Sequence, residues 1–199
     1  MEAGANHSEG KVTAEELVQS EAEVAALTAL REVTGEAHGP MERHGMRCFL
    51  ISERQAADRG LMVDHEILLV AGLIHDIGLY DGASEGGVYV TDGRNFAERL
   101  LAGRPGWDER RTLLCLEAIE RHHEVRGQWQ AGAEVELMRR ADMIELTSGV
   151  VNFGVSRGWI RGLWNAVSRE GLYGEVSKMV VKAARERPTT IPRILIRGR

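Results

Sequence analysis

Apolar residues recur every three or four positions along most of this chain, the spacing that places side chains on one face of an α-helix. Thr13 and Glu16 form a capping box that predicts where the first helix starts. Pro40 predicts the start of the second helix and Gly60 its end. The same reasoning predicts helices over residues 13–35, 40–60, 64–77, 93–101, 108–123, 134–146, 157–168 and 172–187.

The third of these helices is apolar almost all round, from Ile67 to Ile74, which is typical of a buried, central helix. The only strand-like run, Val88 to Val90, is too short to carry a sheet. We therefore predict an all-α fold of about eight helices. A chain of 199 residues is the size of one domain. The expected division is a flexible tail over residues 1–12 and one helical domain over residues 13–196.

Composition and charge exclude several classes of function. The net charge of −5 and the pI near 5.8 give no basic surface for a nucleic acid polymer. No apolar window is long enough to span a membrane, and the first residues lack the pattern of a signal peptide, so we expect a cytoplasmic protein. Cys48 and Cys115 have no CxxC spacing and are expected to be reduced core thiols.

The candidate chemistry centres on the doublet His75-Asp76, which follows the apolar run of the third helix. Burying an imidazole and a carboxylate together is costly unless a cation or hydrogen bonds satisfy them. Zn²⁺, Mn²⁺ and Fe²⁺ accept both kinds of ligand. Adjacent helix positions point about 100° apart, so the doublet shares an ion only if the ion lies off the helix end and other helices supply further ligands.

The chain offers such ligands in an ordered series: His44, then the run Leu73-Ile-His-Asp-Ile-Gly78, then His122-His123, then Asp142. This order resembles the HD superfamily of metal-dependent phosphohydrolases, over about residues 41–146. Residues 147–196 then correspond to a helical cap. The resemblance implies a divalent ion (Zn, Mn, Fe, Co or Ni) whose ligands are His44, His75, Asp76 and Asp142.

The resemblance leaves the roles of His122 and His123 open. In binuclear members, histidines at similar places hold a second metal ion, and a further histidine usually precedes them. Here that intervening segment offers only Glu85 and Asp92. We therefore expect one ion, with His122 or His123 as proton donor or substrate contact, and with a second ion near His122 as the alternative. Asp76 is expected to orient the attacking water as well as bind the ion.

The first functional hypothesis is that metal-activated water hydrolyses a small, phosphorylated metabolite or nucleotide. Arg94 is then the expected anion contact, and Trp159 the expected pocket wall. Many phosphohydrolases of the superfamily have lysine or glutamate three residues after the Asp of the doublet, where this chain has Leu79. The form HDIGL is similar to cyanamide-hydratase-like members, so a hydratase or lyase with one metal ion and a small unsaturated substrate is the second hypothesis.

Two further readings receive less support. A di-iron oxygenase would need the histidine that the intervening segment lacks. A non-catalytic domain that keeps the fold would have no use for an intact set of ligands. Under each enzymatic reading the partner is a small-molecule substrate, and a homodimer is compatible with the sequence.

Overall fold

Helices make up the structure from end to end in the computed structural model, which describes residues 12–186. That part of the chain forms nine α-helices and no strand, so the all-α prediction is confirmed. They are α1 (Ala14–Leu17), α2 (Glu21–Thr34), α3 (Pro40–Arg59), α4 (His65–Ile74), α5 (Tyr89–Leu101), α6 (Glu109–Arg121), α7 (Ala133–Leu146), α8 (Arg157–Ala166) and α9 (Leu172–Glu186).

The first predicted helix is divided in two. Ser20 begins α2, since its side chain accepts a hydrogen bond from the N–H of Glu23. The carboxylate of Glu23 in turn accepts hydrogen bonds from the N–H groups of Gln19 and Ser20. This second capping box favours a new helix start at a point where the apolar stripe continues unbroken.

The fifth helix begins earlier than predicted, at Tyr89 rather than at Gly93. Val88, whose backbone is extended, is its N-cap, and the strand-like run is the boundary of the helix. Arg94 therefore lies well inside α5. The earlier helix start matters for anion binding. Only the first turn of a helix presents unpaired N–H groups to an anion, and Arg94 lies beyond that turn.

Helix α4 lies at the centre of the fold, as its composition predicts. Every residue from Ile67 to Ile74 is buried, and α4 packs against α2, α3, α6 and α7. Helix α3 packs against α4 and α7, and α5 packs against α6. A short 3-10 turn at Ile77–Leu79 follows α4 and contacts α5.

The ends of two core helices deliver polar residues to the interior. His75 is the C-cap of α4, and His122 is the C-cap of α6. None of the helices within residues 12–186 is long and apolar enough to cross a membrane. Most of the predicted tail, and the part of the predicted cap from residue 187 onward, lie outside the described residues.

Candidate metal centre

The four predicted ligands lie close together at the middle of the molecule. The Nε2 atom of His44 is 3.2 Å from Nε2 of His75 and 3.3 Å from Oδ1 of Asp142. Oδ2 of Asp76 is 3.3 Å from Nε2 of His75 and 3.8 Å from Nε2 of His44. Atoms bound about 2.1 Å from a single ion are separated by about 3.0–3.5 Å. The separations of 3.2 and 3.3 Å fall in this range, whereas those from His44 to Asp76 and from His75 to Asp142, at 3.8 and 3.9 Å, are longer. His44, His75 and Asp142 share one set of mutually close ligand atoms, and Asp76 joins His75 in a second set.

The cluster is larger than four residues. Three overlapping sets of buried or half-buried side chains each place one ligand atom per residue within 4.8 Å of the others. They share members, so they form one continuous cluster. The sets are His44, Cys48, His75 and Asp142; His75, Asp76 and His122; and His122, His123 and Asp142. The doublet His75-Asp76 is thus in contact with His122, the C-cap of α6.

The backbone orients two of the imidazoles. Nδ1 of His75 lies 2.9 Å from the carbonyl oxygen of Gly72, and Nδ1 of His122 lies 2.6 Å from that of Ile119. A carbonyl oxygen accepts only, so Nδ1 carries the hydrogen in both rings and donates it. Each Nε2 atom therefore presents its lone pair to the cluster, as a metal ligand must.

Three carboxylate oxygens of the cluster have no hydrogen-bond donor among the described residues. Oδ1 of Asp76 and both carboxylate oxygens of Asp142 accept no hydrogen bond from any described residue. Oδ2 of Asp142 lies 2.8 Å from Nδ1 of His123, an ion-pair distance, but the direction of approach does not make a hydrogen bond. Buried acceptors that face one another are stable only when a cation or a proton lies between them. These imidazole nitrogens and carboxylate oxygens are therefore a set of ligand atoms that fits a divalent ion.

The charge states also suit a cation. Burial raises the pKa of Asp76, but the imidazoles of His75 and His122 outweigh burial and bring it well below its usual value. The pKa of Asp142 is lowered in the same way, against burial, by His123 and His44. Both carboxylates are consequently anionic at neutral pH.

The two adjacent histidines differ in protonation. Burial, together with the nearby charge of His123, lowers the pKa of His122 to about 4. Burial also lowers the pKa of His123, but the Asp142 carboxylate outweighs it, and the net direction is upward. At neutral pH His122 is thus a neutral imidazole that suits a metal ion, while His123 is the better proton donor.

Protons and metal ions compete at His44. Burial lowers its pKa, but the contacts with Cys48, Asp142 and Glu145 outweigh burial and raise it well above the ordinary value. A proton on His44 therefore screens the carboxylates while the cluster holds no cation. Metal binding must displace this proton, since only the neutral imidazole is a ligand.

Solvent reaches the cluster from one side. The side chains of His44, His75, His122 and Asp142 are at most 2% exposed, whereas those of Asp76 and His123 are 11% and 19% exposed. A small molecule would therefore enter beside Asp76 and His123. The hydroxyl of Tyr89, 3.3 Å from Nε2 of His122, borders the same histidines.

Sequence reasoning missed the place of Cys48 in the cluster and the contacts that Tyr89 and Glu145 make with its histidines. Sγ of Cys48 lies 3.8 Å from both ring nitrogens of His44, so it is equidistant from Nδ1 and Nε2. Burial raises the pKa of this thiol to about 11. Cys48 is therefore a neutral packing residue, and Cys115 is also a buried free thiol. Glu145 had one detectable signal, its position a single helical turn after Asp142.

The structure does not bring the two predicted substrate contacts to the cluster. Arg94 makes ion pairs with Glu98 and Glu120, at 3.4 and 3.6 Å. Trp159 packs under the guanidinium of Arg54, which lies ten positions, or about 15 Å, along α3 from His44. Both predictions required these side chains to face the cluster, and both side chains instead contact other residues.

The two acidic residues considered for a second metal ion are used by the loop before α5. Oδ2 of Asp92 accepts hydrogen bonds from the Ser84 hydroxyl and from the N–H groups of Glu85 and Gly87. The Glu85 carboxylate accepts a hydrogen bond from Asn95 and pairs with Arg99. Asp92 therefore organises the loop.

Comparison with family models and with curated proteins finds no match for this chain. The site is thus defined by its own geometry. That geometry is a buried cluster of histidine, aspartate and cysteine side chains with the donors to hold a metal ion.

Proposed function

We propose that this chain is a metal-dependent enzyme of the HD type, which uses His44, His75, Asp76 and Asp142 to hold a divalent ion and activates water for attack on a small molecule. The observation that carries the proposal is the convergence of buried imidazoles and carboxylates, in which Oδ1 of Asp76 and both oxygens of Asp142 accept no hydrogen bond from the described residues. Such an arrangement is costly in an interior that serves only to pack.

A divalent ion in this cluster would lower the pKa of a bound water to about 7 and so supply hydroxide at neutral pH. Asp76 lies on the solvent side of the cluster, and its buried Oδ1 atom accepts no hydrogen bond from the described residues, so this carboxylate would orient the attacking water. His123 lies on the same side and is the better proton carrier, so it returns a proton to the substrate.

The arrangement of charges favours an uncharged substrate. Most arginines close to the predicted ligands in sequence pair with carboxylates other than those ligands: Arg47 with Glu145, Arg121 with Glu117, and Arg139 and Arg140 with Glu136. Arg43, which precedes His44, donates its hydrogen bonds to the carbonyl oxygens of His38, Ser168 and Glu170. Phosphate sites usually present arginine forks. We therefore propose hydration or hydrolysis of a small, unsaturated, uncharged molecule such as a nitrile or cyanamide. Phosphoester hydrolysis, which the order of the motifs favours, is the second candidate.

The test begins with elemental analysis of the purified chain and reloading with zinc, manganese, iron, cobalt or nickel. Each form is then assayed with nitriles and cyanamide and with a phosphoester panel. We expect turnover of the uncharged compounds, lost in Asp76→Asn and kept in His65→Gln, because His65 is exposed and remote from the cluster. A chain that retains no ion, or whose turnover survives Asp76→Asn, would contradict the proposal.

A further inference from the structure

Glu145 is fully buried on α7, one turn after Asp142, and its carboxylate lies within 4 Å of four nitrogen atoms, the most distant of which is Nε of Arg169 at 3.9 Å. Its Oε2 atom accepts a 2.6 Å hydrogen bond from Nε of Arg47 and lies 3.4 Å from Nδ1 of His44. Its Oε1 atom accepts a 2.7 Å hydrogen bond from the indole N–H of Trp164. The carboxylate thus meets the outer nitrogen of a predicted metal ligand.

The two carboxylate oxygens of Glu145 have different partners: Oε2 contacts Arg47 and His44, and Oε1 contacts Trp164. Arg47 and Trp164 fix the carboxylate, because each donates a short hydrogen bond to a different oxygen. A fixed acceptor beside Nδ1 of His44 favours the hydrogen on that nitrogen, and so leaves Nε2 free to face the cluster. The backbone carbonyls of Gly72 and Ile119 do the same for His75 and His122. His44 lies in mid-helix, where its own turn offers no free carbonyl, so a side chain fills that role.

We propose that Glu145 is a positioning residue for the metal centre, which holds His44 in its ligating orientation and links that orientation to the helices after α7. The inference rests on the proposed metal function. Its physical basis is the hydrogen bond from a ligating histidine to a buried carboxylate, a support whose removal typically lowers metal affinity about 10–100-fold.

The same residues attach the chain after α8 to α3 and α7. Arg47 donates a 2.7 Å hydrogen bond to the carbonyl oxygen of Ser168, and Arg169 donates a 2.6 Å hydrogen bond to the carbonyl oxygen of Glu145. Trp164 belongs to α8 itself. A shift of α8 relative to α7 would therefore move the Glu145 carboxylate, and with it the imidazole of His44.

The experiment compares Glu145→Gln with Glu136→Gln, a matched change at another buried, arginine-paired glutamate of α7. A glutamine at 145 must turn its NH₂ group toward Arg47 and His44 or toward Trp164, all of which are donors. Zinc affinity is measured by chelator competition. We expect about 10–100-fold weaker binding in Glu145→Gln and wild-type affinity in Glu136→Gln.

A second readout separates positioning from a loss of fold. In the zinc-loaded protein, the Nδ1 hydrogen of His44 is followed in imidazole ¹H–¹⁵N spectra, and its exchange with water should be faster in Glu145→Gln. If that variant does not fold, Trp164→Phe removes only the indole donor and should weaken zinc binding in the same direction. Wild-type affinity and slow exchange in the folded variants would overturn the inference. Absence of zinc binding by the wild-type chain would instead overturn the proposed function.

Discussion

Gly45 and Gly72 bring α3 and α4 into backbone contact, since a Cβ atom on Gly45 would lie 2.4 Å from the carbonyl oxygen of Gly72. His44 precedes Gly45, and His75 follows Gly72 by one helical turn. The close approach therefore sets the 3.2 Å separation of the two Nε2 atoms. Two glycines that carry no chemistry fix the geometry of the centre.

Gly45→Ala is accordingly expected to destabilise the fold by about 1–3 kcal/mol, because the backbone atoms that its methyl group meets cannot move aside as a side chain can. It should also weaken metal binding by separating His44 from His75. The control is Gly162→Ala in α8, where nothing lies within 4 Å of the added methyl group and a gain of roughly 0.5–1 kcal/mol is expected. Denaturant unfolding of both variants gives the comparison, and equal stability of Gly45→Ala and wild type would refute the packing argument.

Metal binding should raise the stability of the fold. An ion at 100 times its dissociation constant contributes about 2.7 kcal/mol, which corresponds to a rise of roughly 5–11 °C in unfolding temperature for a chain of this size. Scanning calorimetry with zinc and with a chelator measures the shift. It should vanish in Asp142→Asn, whose carboxylate lies inside the cluster, and persist in His65→Gln. A shift of the same size in Asp142→Asn would place the ion elsewhere.

The sequence predicts the burial of the doublet His75-Asp76, because a single helix determines it. The apolar run from Ile67 to Ile74 indicates a buried helix, and a polar doublet at its end must then face the interior. The convergence of His44 and Asp142 follows from their places on two helices that pack together. All-α architecture follows from the same periodicity.

The missed features depend on contacts between distant segments. In the sequence, Glu145 is one of several charged residues of α7. Only the structure shows that it is buried and accepts hydrogen bonds from Arg47 and Trp164. The sequence predicts Arg94 next to a helix start, but α5 begins five residues before it, at Tyr89, and the Arg94 guanidinium makes ion pairs with Glu98 and Glu120. A capping preference alone cannot locate such a boundary, because tertiary packing competes with it.

The free energy of unfolding should decrease as the pH is lowered, because Glu136 loses its negative charge and its ion pairs with Arg139 and Arg140. Burial raises the pKa of Glu136, but hydrogen bonds from Arg139, Arg140 and the Gln128 N–H outweigh it, and the folded-state pKa lies below the ordinary value. A lowered folded-state pKa stabilises the protein above the unfolded-state pKa of about 4.3, and this contribution is lost as pH falls through the folded-state value.

Urea unfolding of wild type and Glu136→Gln at several pH values isolates this contribution. We expect a deficit of roughly 1–3 kcal/mol for the variant near pH 7, from the weakened hydrogen bonds to its arginines. The deficit should shrink as the pH falls from about 4.3, the unfolded-state pKa, through the lower folded-state pKa, below which the wild-type carboxyl group is itself neutral. A deficit that stays constant with pH would show that the charge of Glu136 does not stabilise the fold.

Arg94→Gln separates the two substrate classes. Because Glu98 and Glu120 already engage this guanidinium, its removal should change kcat/KM less than about twofold, and stability by less than about 1 kcal/mol. An arginine that contacts a substrate phosphate contributes roughly 1.5–3 kcal/mol, or about 10–100-fold in kcat/KM. Arg99→Gln, which removes an exposed arginine of the same helix, is the matched control. A loss of tenfold or more that is confined to Arg94→Gln would restore the anion contact and favour a phosphorylated substrate.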